Sequence, residues 1–325
     1  MDRKQLRTLV AVAEHRSFSA AARALNTVQS NVSAHVARLE KELGVTLIDR
    51  ATNEPTAEGR AVLDRARRIE AEFEALDSDV ASLRDTVAGT VHLGSIGTTA
   101  RWLAPLLLDR LAEEFPYVSV VMLDAPTSSL VPNLLDGRID LAVLNLPVED
   151  PELVVVPLFD EDRVLVVPSG HALSGRETVT LAEIAEHDLL LEARGTSFRD
   201  VLDAAAAAQG LRLRAKAEFD GMRLLASLAF AGYGAAIVPA SAAPASLSGD
   251  WGLAGISDVP GRSVGLVQRR RGLPSAAQRA VVGVLRAVVV DPGSTPRGIH
   301  PLPAPAGGTR RRGERLPRAE SGNGP

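Results

Sequence analysis

The 325-residue sequence contains no cysteine, and only 3% of its residues are aromatic. Without cysteine the chain can form no disulfide, no thiol nucleophile and no Cys-based zinc site. No apolar run approaches the roughly eighteen uncharged residues that a membrane-spanning helix needs. The N-terminal MDRKQLRTL lacks an apolar core followed by a small-residue cleavage site, so it does not resemble a signal peptide. These absences predict a cytoplasmic protein with no membrane partner.

Sequence motifs for catalysis and metal binding are also lacking. No Gly-x-Ser-x-Gly elbow, phosphate-binding loop or dinucleotide fingerprint occurs. The histidines are scattered, and no two stand at metal-ligand spacing on one helix. They are His15, His35, His92, His171, His187 and His300. We therefore predict that the protein is not an enzyme and has no catalytic residues, metal or cofactor.

The segment from Phe18 to Gly44 has the pattern of two short helices joined by a tight turn. Small alanines favour the first helix and allow a second helix to approach closely, and Asn26-Thr27 marks the turn. From Gln29 onward, apolar residues recur at steps of four and three and would bury one stripe. The opposite face carries short hydrogen-bonding side chains, which are typical of a helix that reads base edges in the major groove. An ordinary helical hairpin with a polar face is the alternative.

A long helix is predicted from Thr56 to about Leu83. Apolar residues alternate at steps of four and three for about three heptads, and charged residues fill much of the remainder. We interpret this seam as a dimer contact; packing on the helix's own domain is the alternative. The predicted dimer residues are Val62, Ile69, Phe73, Leu76 and Val80. Val87-Ala88-Gly89-Thr90 is predicted to end the helix and to serve as the linker.

From Val91 onward, short β-type runs alternate with helical ones. This alternation predicts a parallel-rich α/β domain with helices on both faces of the sheet. The predicted strands are VHLGSI, VSVVML, DLAVLN, RVLVVP, LLLE, AKAEF, AAIVP and SVGLVQ. The predicted helices are Trp102–Phe115, Ser129–Asp136, Leu181–Glu186, Phe198–Gln209, Met222–Ala231 and Ser275–Val289.

Hydroxyl side chains follow three of these strands, at the helix N-termini where ligands of open α/β sheets bind. Together they predict one pocket for a polar or anionic ligand; simple helix capping is the alternative for each alone. The predicted effector-binding residues are Thr98, Thr99, Thr127, Ser128, Asn145, Thr196 and Ser197. Arg199 and Arg223 could add positive charge there, but solvated helix positions are the simpler interpretation.

Several of these stretches resemble the LysR-type transcriptional regulators. In the N-terminal part the matching pieces are LRTLVAVAEHRSFSAAARAL, QSNVSAHVARLEKELGVTLIDR and PTAEG. In the remainder they are GTVHLGSIGTTARWLAPLL, FPYVSVVML, LLDGRIDLAVL, RVLVVPSGHAL and FAGYGAAIVP. The chain departs from the family in a shorter wing after Arg50, in Ala34 beside Ser33, and in the reversed polarity of Thr27-Val28. Asn145 stands where some acid-sensing relatives carry arginine.

The resemblance implies a multi-domain α+β protein. Residues 1–59 would form a winged helix-turn-helix, 60–90 a dimer helix and hinge, and 91–290 an α/β effector domain like periplasmic binding proteins. That domain would have two subdomains, with crossover strands near 164–167 and 263–267. The predicted DNA-binding residues are Gln29, Ser30, Asn31, Ser33, His35, Arg38 and Arg50. The Pro/Gly/Arg-rich tail, 291–325, is predicted to be disordered.

The charge distribution bears on the same interpretation. The net charge is −4, yet in residues 1–60 basic residues outnumber acidic ones by two. This small excess suggests that specific binding would rely on several half-sites engaged by an oligomer. The sequence therefore predicts a homodimer or homotetramer on an inverted-repeat promoter site, modulated by a small-molecule effector, with contact to RNA polymerase left open. A small-molecule sensor without specific DNA binding is the alternative, and an enzyme on a solute-binding scaffold a more distant one.

Overall fold

The computed structural model describes residues 1–83, 86–243 and 249–303. Its N-terminal part holds three helices, α1 (Arg3–His15), α2 (Phe18–Ala24) and α3 (Gln29–Leu43), followed by the long α4 (Ala57–Ser82). Asp2 begins α1 with a capping box, in which its carboxylate accepts from the Gln5 amide. A common apolar core joins the four helices because each turns its apolar stripe inward. The predicted helix-turn-helix and long helix are confirmed.

A short wing lies between α3 and α4. Its arms are joined by an antiparallel bridge between Ile48 and Pro55, and Thr56 caps α4 by accepting from the Gly59 amide at 2.9 Å. At Gly59 an added Cβ would lie 2.0 Å from the Leu47 carbonyl oxygen, so only glycine lets α4 dock this closely against the wing. The predicted long helix thus begins with Thr56 as its cap, and the glycine at position 59 is required for steric reasons.

The structure corrects the prediction that residues 87–90 form a linker. Ala88, Gly89 and Thr90 do not form a linker but begin the first strand, which pairs in parallel with the strand at Tyr117. Gly89 has φ +143°, and an added Cβ would lie 3.3 Å from Ser78 Oγ on α4, so the strand starts in close contact with that helix. Of the predicted linker residues, only Val87 lies outside regular structure.

The rest of the chain forms two six-stranded sheets with helices around them. The strands are β1 (Ala88–Ser95), β2 (Tyr117–Asp124), β3 (Leu141–Asn145), β4 (Leu153–Glu161), β5 (Arg163–Pro168), β6 (Thr178–Val179), β7 (Asp188–Glu192), β8 (Arg214–Phe219), β9 (Ala235–Pro239), β10 (Trp251–Ile256), β11 (Arg262–Arg269) and β12 (Ile299–Pro301). The helices are α5 (Gly97–Glu114), α6 (Thr127–Leu135), α7 (Leu181–Ala185), α8 (Ser197–Ala208), α9 (Met222–Phe230) and α10 (Ala276–Val290). All eight predicted strands and all six predicted helices of this region are present.

The strand directions correct the prediction of a parallel-rich domain. The first sheet has the order β12-β4-β11-β3-β1-β2 and the second β6-β10-β5-β9-β7-β8. In the first sheet only the β1–β2 and β1–β3 pairs are parallel, and in the second only β6–β10, β7–β8 and β7–β9 are. The antiparallel pairs arise because the chain passes from one sheet to the other through β4 to β5 and returns through β10 to β11. Both predicted crossover strands lie directly after these passages, and we call the two halves the first and second subdomain.

The tail prediction is wrong for residues 291–303. Ile299 is buried, and β12 adds to the edge of the first sheet beside β4. Trp102 Nε1 donates to the Ser294 carbonyl oxygen at 2.8 Å, and His300 Nε2 lies 2.8 Å from Asp162 Oδ2. These anchors hold a proline- and glycine-rich segment that has little apolar surface of its own. The remaining tail residues, 304–325, lie outside the described residues. Within the described part of the chain, no helix is long and apolar enough to cross a bilayer.

Candidate DNA-binding helix and effector cleft

Helix α3 presents a polar, solvent-exposed face at its N-terminal end. Gln29, Ser30 and Asn31 are exposed, and so is Arg38 two turns further on. Val28 begins the helix without a side-chain cap. Asn31 Nδ2 donates to Thr27 Oγ1 at 3.1 Å, which leaves its carbonyl oxygen available as an acceptor. The first turn of α3 therefore offers free backbone amides and amide side chains to a DNA groove.

Two of the predicted DNA-binding residues, Ser33 and His35, are less exposed than the others. Ser33 is half-buried at the margin of the exposed face. His35 flanks the buried stripe of Val32 and Leu39, and its Nδ1 atom has neither solvent exposure nor a hydrogen-bond partner within the described residues. His35 as a whole is half-buried, as Ser33 is, so it also lies at the margin of the exposed face with Nδ1 turned inward. The reason is helical periodicity, because a residue three or four positions from two core residues turns toward the core.

Arg50, at the start of the wing, is held in place by two contacts. Its Nη2 lies 3.2 Å from Glu40 Oε2, and its guanidinium lies 4.6 Å from the centroid of the Phe18 ring. The other oxygen of Glu40 accepts from the Leu47 amide at 2.8 Å and the Ile48 amide at 3.2 Å. Glu40 therefore joins α3 to the wing and orients Arg50, a role that sequence analysis missed because the carboxylate looked like an ordinary solvated helix residue.

The apolar seam of α4 is exposed over most of its length. Ile69, Phe73, Leu76 and Val80 are all solvent-exposed, with Leu76 at 58%. Val62 differs from these four, since it packs against the core of the N-terminal helices. Arg3 lies over the Phe73 ring at 4.2 Å.

The opposite face of α4 packs on the sheet-containing part of the chain. Ser78 is buried and its Oγ accepts from the Ala277 amide at 3.3 Å. Asp79 accepts from the Ala276 amide at 3.0 Å, and Arg68 donates to the Leu135 carbonyl at 2.9 Å. Packing on its own chain was the alternative to a dimer seam, and it accounts only for this face of α4. The seam itself is exposed.

A cleft of about 590 Å³ lies between the two subdomains. It is formed at the carboxyl ends of β1, β2 and β3 on one side and of β7 and β8 on the other, where helices begin. Of the seven predicted effector-binding residues, six line it: Thr98, Thr127, Ser128, Asn145, Thr196 and Ser197. Thr99 does not line the cleft. Its side chain is fully buried because residue 99 lies on the inner side of α5.

The wall of the first subdomain offers hydrogen-bond donors from two helix N-termini. The residues that precede α5 and α6, Ile96 and Pro126, provide no side-chain cap, so the first amides of both helices lack an intrahelical acceptor. Thr127 Oγ1 accepts from the Asn145 amide at 3.2 Å. Asn145 Oδ1 is buried and has no hydrogen-bond partner within the described residues.

Both arginines that line the cleft are paired with carboxylates. Arg262 forms an ion pair with buried Glu161 and donates to Thr98 Oγ1 at 3.1 Å. Arg223, on α9, forms an ion pair with Asp124 at the end of β2, so the pair joins the two subdomains. Neither guanidinium is left as a free anion receptor.

The prediction that Arg199 is a solvated helix residue is wrong. Its side chain keeps only 1% of its surface exposed. It bonds to Asp203 at 2.9 Å, to Glu218 at 3.0 Å and to the Glu192 carbonyl at 2.8 Å. Arg199 is therefore a structural cation that ties α8 to β7 and β8, and it does not line the cleft.

Two further carboxylates belong to the second subdomain's wall. Glu192 keeps only 8% of its surface exposed, and Oε2 accepts from the Thr196 hydroxyl at 3.1 Å. Burial, together with the nearby charge of Asp220, raises the pKa of Glu192. The guanidinium carbon of Arg163 lies 4.6 Å from the centroid of the Phe198 ring. Burial and the nearby charge of Arg262 lower the pKa of Arg163 to about 10.

None of these charges was predicted as part of the site. Glu161 and Arg262 face each other across the antiparallel β4–β11 pair, 101 residues apart in sequence. Arg163 could have been noticed in the sequence as a charged residue at the start of the otherwise apolar strand RVLVVP. Glu192 gave the same signal at the end of LLLE.

The structure also brings together two histidines that the sequence left apart. The rings of His171 and His187 lie 4.5 Å apart in the second subdomain. His171 Nδ1 accepts from the Leu173 amide at 3.2 Å, so this nitrogen is already occupied. Within the described ranges no group of three His, Cys, Asp or Glu side chains is placed to hold a metal ion.

Two family models match the chain. Residues 3–60 match the bacterial regulatory helix-turn-helix protein, lysR family, and residues 84–289 match the LysR substrate binding domain. The DNA-binding transcriptional dual regulator OxyR of Escherichia coli K12 is 32% identical over 279 residues, covering 83% of this chain and 90% of OxyR.

Solved structures agree in fold. Full-length CbnR complexed with its target DNA is 29% identical, with a TM-score of 0.64, covering 88% of this chain and 99% of CbnR. A Corynebacterium glutamicum OxyR cysteine-to-serine mutant with bound hydrogen peroxide is 29% identical, with a TM-score of 0.54, covering 88% of this chain and 92% of that one.

Proposed function

The chain belongs to the LysR family of transcriptional regulators, and we propose that it senses a reversibly bound small molecule rather than the oxidation state of a thiol. It is a DNA-binding regulator with a helix-turn-helix and an effector-binding domain, and it assembles as an oligomer. The observation that carries the proposal is the absence of cysteine combined with a polar cleft of about 590 Å³ between the subdomains. We further propose that it acts in the cytoplasm, where its promoter DNA lies.

For DNA recognition we propose that the first turns of α3 enter the major groove. Gln29, Ser30 and Asn31 are exposed there and would face the base edges, and half-buried Ser33 at the margin would contact the groove wall. Arg38 and Arg50 then face the phosphates, since Glu40 and Phe18 already hold Arg50 in one orientation. The two copies of α3 in a dimer would read the two arms of an inverted repeat.

The test is selection of genomic DNA fragments by the purified protein at about 150 mM salt, followed by sequencing. We expect a few sharp peaks over inverted repeats. Ser33→Glu should abolish the peaks, because a carboxylate beside the bases and phosphates is repelled and desolvated. Ala207→Glu, which adds the same charge on the exposed surface of α8, should retain them. Peaks that persist in Ser33→Glu would contradict the placement of α3, and diffuse enrichment by the unaltered protein would contradict a regulator of defined promoters.

Hydrogen peroxide should leave DNA binding by this chain unchanged. A thiol-based response is chemically excluded, so the only readily oxidised sulfur atoms are those of three methionines, and Met222 lines the cleft. We expect less than a twofold change in operator affinity after treatment with about 1 mM peroxide, measured by fluorescence anisotropy. A Met222→Leu variant is the matched control. A peroxide-dependent shift of tenfold or more that persists in this variant would contradict a reversible ligand as the signal.

A further inference from the structure

The two walls of the cleft differ in charge. On the first subdomain, the uncapped N-termini of α5 and α6 present backbone amides and the hydroxyls of Thr127 and Ser128. On the second, Glu192 and Asp220 stand at the carboxyl ends of the adjacent parallel strands β7 and β8. One wall therefore favours a negative group and the other a positive one.

Glu192 is the independent sign that a cation belongs in the cleft. It is a carboxylate with 8% exposure, and its only described side-chain hydrogen bond is with the neutral Thr196 hydroxyl. The charges of Arg262 and Arg163 act on it, but neither guanidinium forms an ion pair with it within the described residues. Buried carboxylates are normally paired with a cation. Within the described ranges no ion pair involves Glu192 or Asp220, while the cleft's own arginines are engaged by Glu161 and Asp124.

Asn145 adds a second unsatisfied acceptor on the opposite wall. Its Oδ1 is buried without a partner, and a ligand N–H would satisfy it. The pKa of Glu192 is raised by burial and by Asp220, and a bound cation would reverse that effect. Helix α9 also begins at the second wall without a side-chain cap. A carboxylate of the ligand would nevertheless be repelled there, because Asp220 and Glu192 flank this helix N-terminus.

We propose that the effector is a zwitterion of the amino-acid class, with its carboxylate on the amides that begin α5 and α6 and its ammonium group on Glu192 and Asp220. This inference rests on the proposed function, since it names the ligand class of the same cleft. The inference also goes beyond the predicted anion pocket, because the hydroxyl-lined wall would bind only the carboxylate of such a ligand. A cleft of about 590 Å³ is large enough to enclose such a molecule.

The test is isothermal titration of the full-length protein with the individual L-amino acids. For each one that binds, the corresponding amine without the carboxylate and the 2-hydroxy acid without the amine are titrated as well. We expect at least one amino acid to bind with a Kd below about 1 mM, and both analogues to bind at least tenfold more weakly. Binding of a hydroxy acid as tight as that of its amino acid would overturn the ammonium site, and equal binding of the amine would overturn the carboxylate site.

Variants then separate a specific pocket from general attraction. Asp220→Asn should weaken the amino acid about tenfold to a hundredfold while leaving the hydroxy acid unchanged. Asp200→Asn, an exposed carboxylate on α8, is the matched control and should change neither affinity. If no amino acid binds while the unaltered protein still selects sharp genomic peaks, this inference fails and the regulator assignment stands.

Discussion

Leu76→Glu is expected to convert the protein from a dimer to a monomer at micromolar concentration. Leu76 is 58% exposed at the centre of the α4 seam, and the neighbouring Ile69, Phe73 and Val80 are exposed as well, at 39%, 37% and 47%. In an interface related by a two-fold axis each substitution occurs twice, so two leucines are lost and two charges are buried. Because burying one leucine contributes about 1.5–3 kcal/mol, the loss of two leucines should raise the dimer Kd about 10²- to 10⁴-fold, and the buried charges should raise it further.

DNA binding should fall with the dimer. Two α3 helices held on one molecule bind two half-sites with an effective concentration that a monomer lacks, so operator affinity should drop about 10²- to 10⁴-fold. Sedimentation velocity measures the mass, and anisotropy on a full inverted repeat measures the affinity. Ala61→Glu places the same charge on an exposed part of α4 outside the seam and should remain dimeric. Leu76→Lys should dissociate the dimer as Leu76→Glu does, and a dimeric mass for both would show that the seam is not the interface.

The helical parts were predictable because their signals are local. The stripe of Val32, Val36 and Leu39 is buried as the spacing of four and three requires, and the α4 seam was visible for the same reason. The half-burial of His35 was not predicted, because a polar residue at the edge of a stripe can turn to either side.

The sensor domain was predictable in its elements and less so in their pairing. β10 was missed because Gly252 and Gly255 interrupt its apolar pattern, and β4 because Pro157 stands within it. The order of residues 291–303 was missed because its anchors are distant, as with Trp102 and Ser294, which lie 192 residues apart. Such contacts have no local signature, so composition alone wrongly indicated disorder.

The same limit applies to the cleft. Hydroxyl residues after strands identified six lining positions, because parallel strands end at one edge of a sheet. The charged residues that determine the ligand class, Glu192 and Asp220, lie at the ends of different strands and belong to no common sequence motif. Glu192 and Asp220 come near each other because β7 and β8 pair in parallel, with Glu192 opposite Phe219, the residue before Asp220.

The crossover between the subdomains should be the most sensitive point of the sensor domain. Glu161 is 1% exposed; one oxygen accepts from the Ser241 amide at 2.6 Å and the other pairs with Arg262. Glu161→Ala removes the counter-charge that Arg262 and buried Arg163 share, and it leaves the Ser241 amide without an acceptor. Removing one partner of a buried ion pair costs about 3–5 kcal/mol, and we expect a loss of that size in the free energy of unfolding.

Both tryptophans of the chain, Trp102 and Trp251, lie in the sensor domain, so their fluorescence during urea unfolding reports on this domain alone. Asp162→Ala is the matched control. That neighbouring carboxylate is 51% exposed beside His300, and such exposed pairs contribute at most about 1 kcal/mol. Glu161→Gln should fall between the two, because the amide oxygen can still accept from Ser241 but carries no charge. Equal stability of Glu161→Ala and Asp162→Ala would mean that the two arginines do not depend on Glu161, and that the crossover is held by its strand pairing alone.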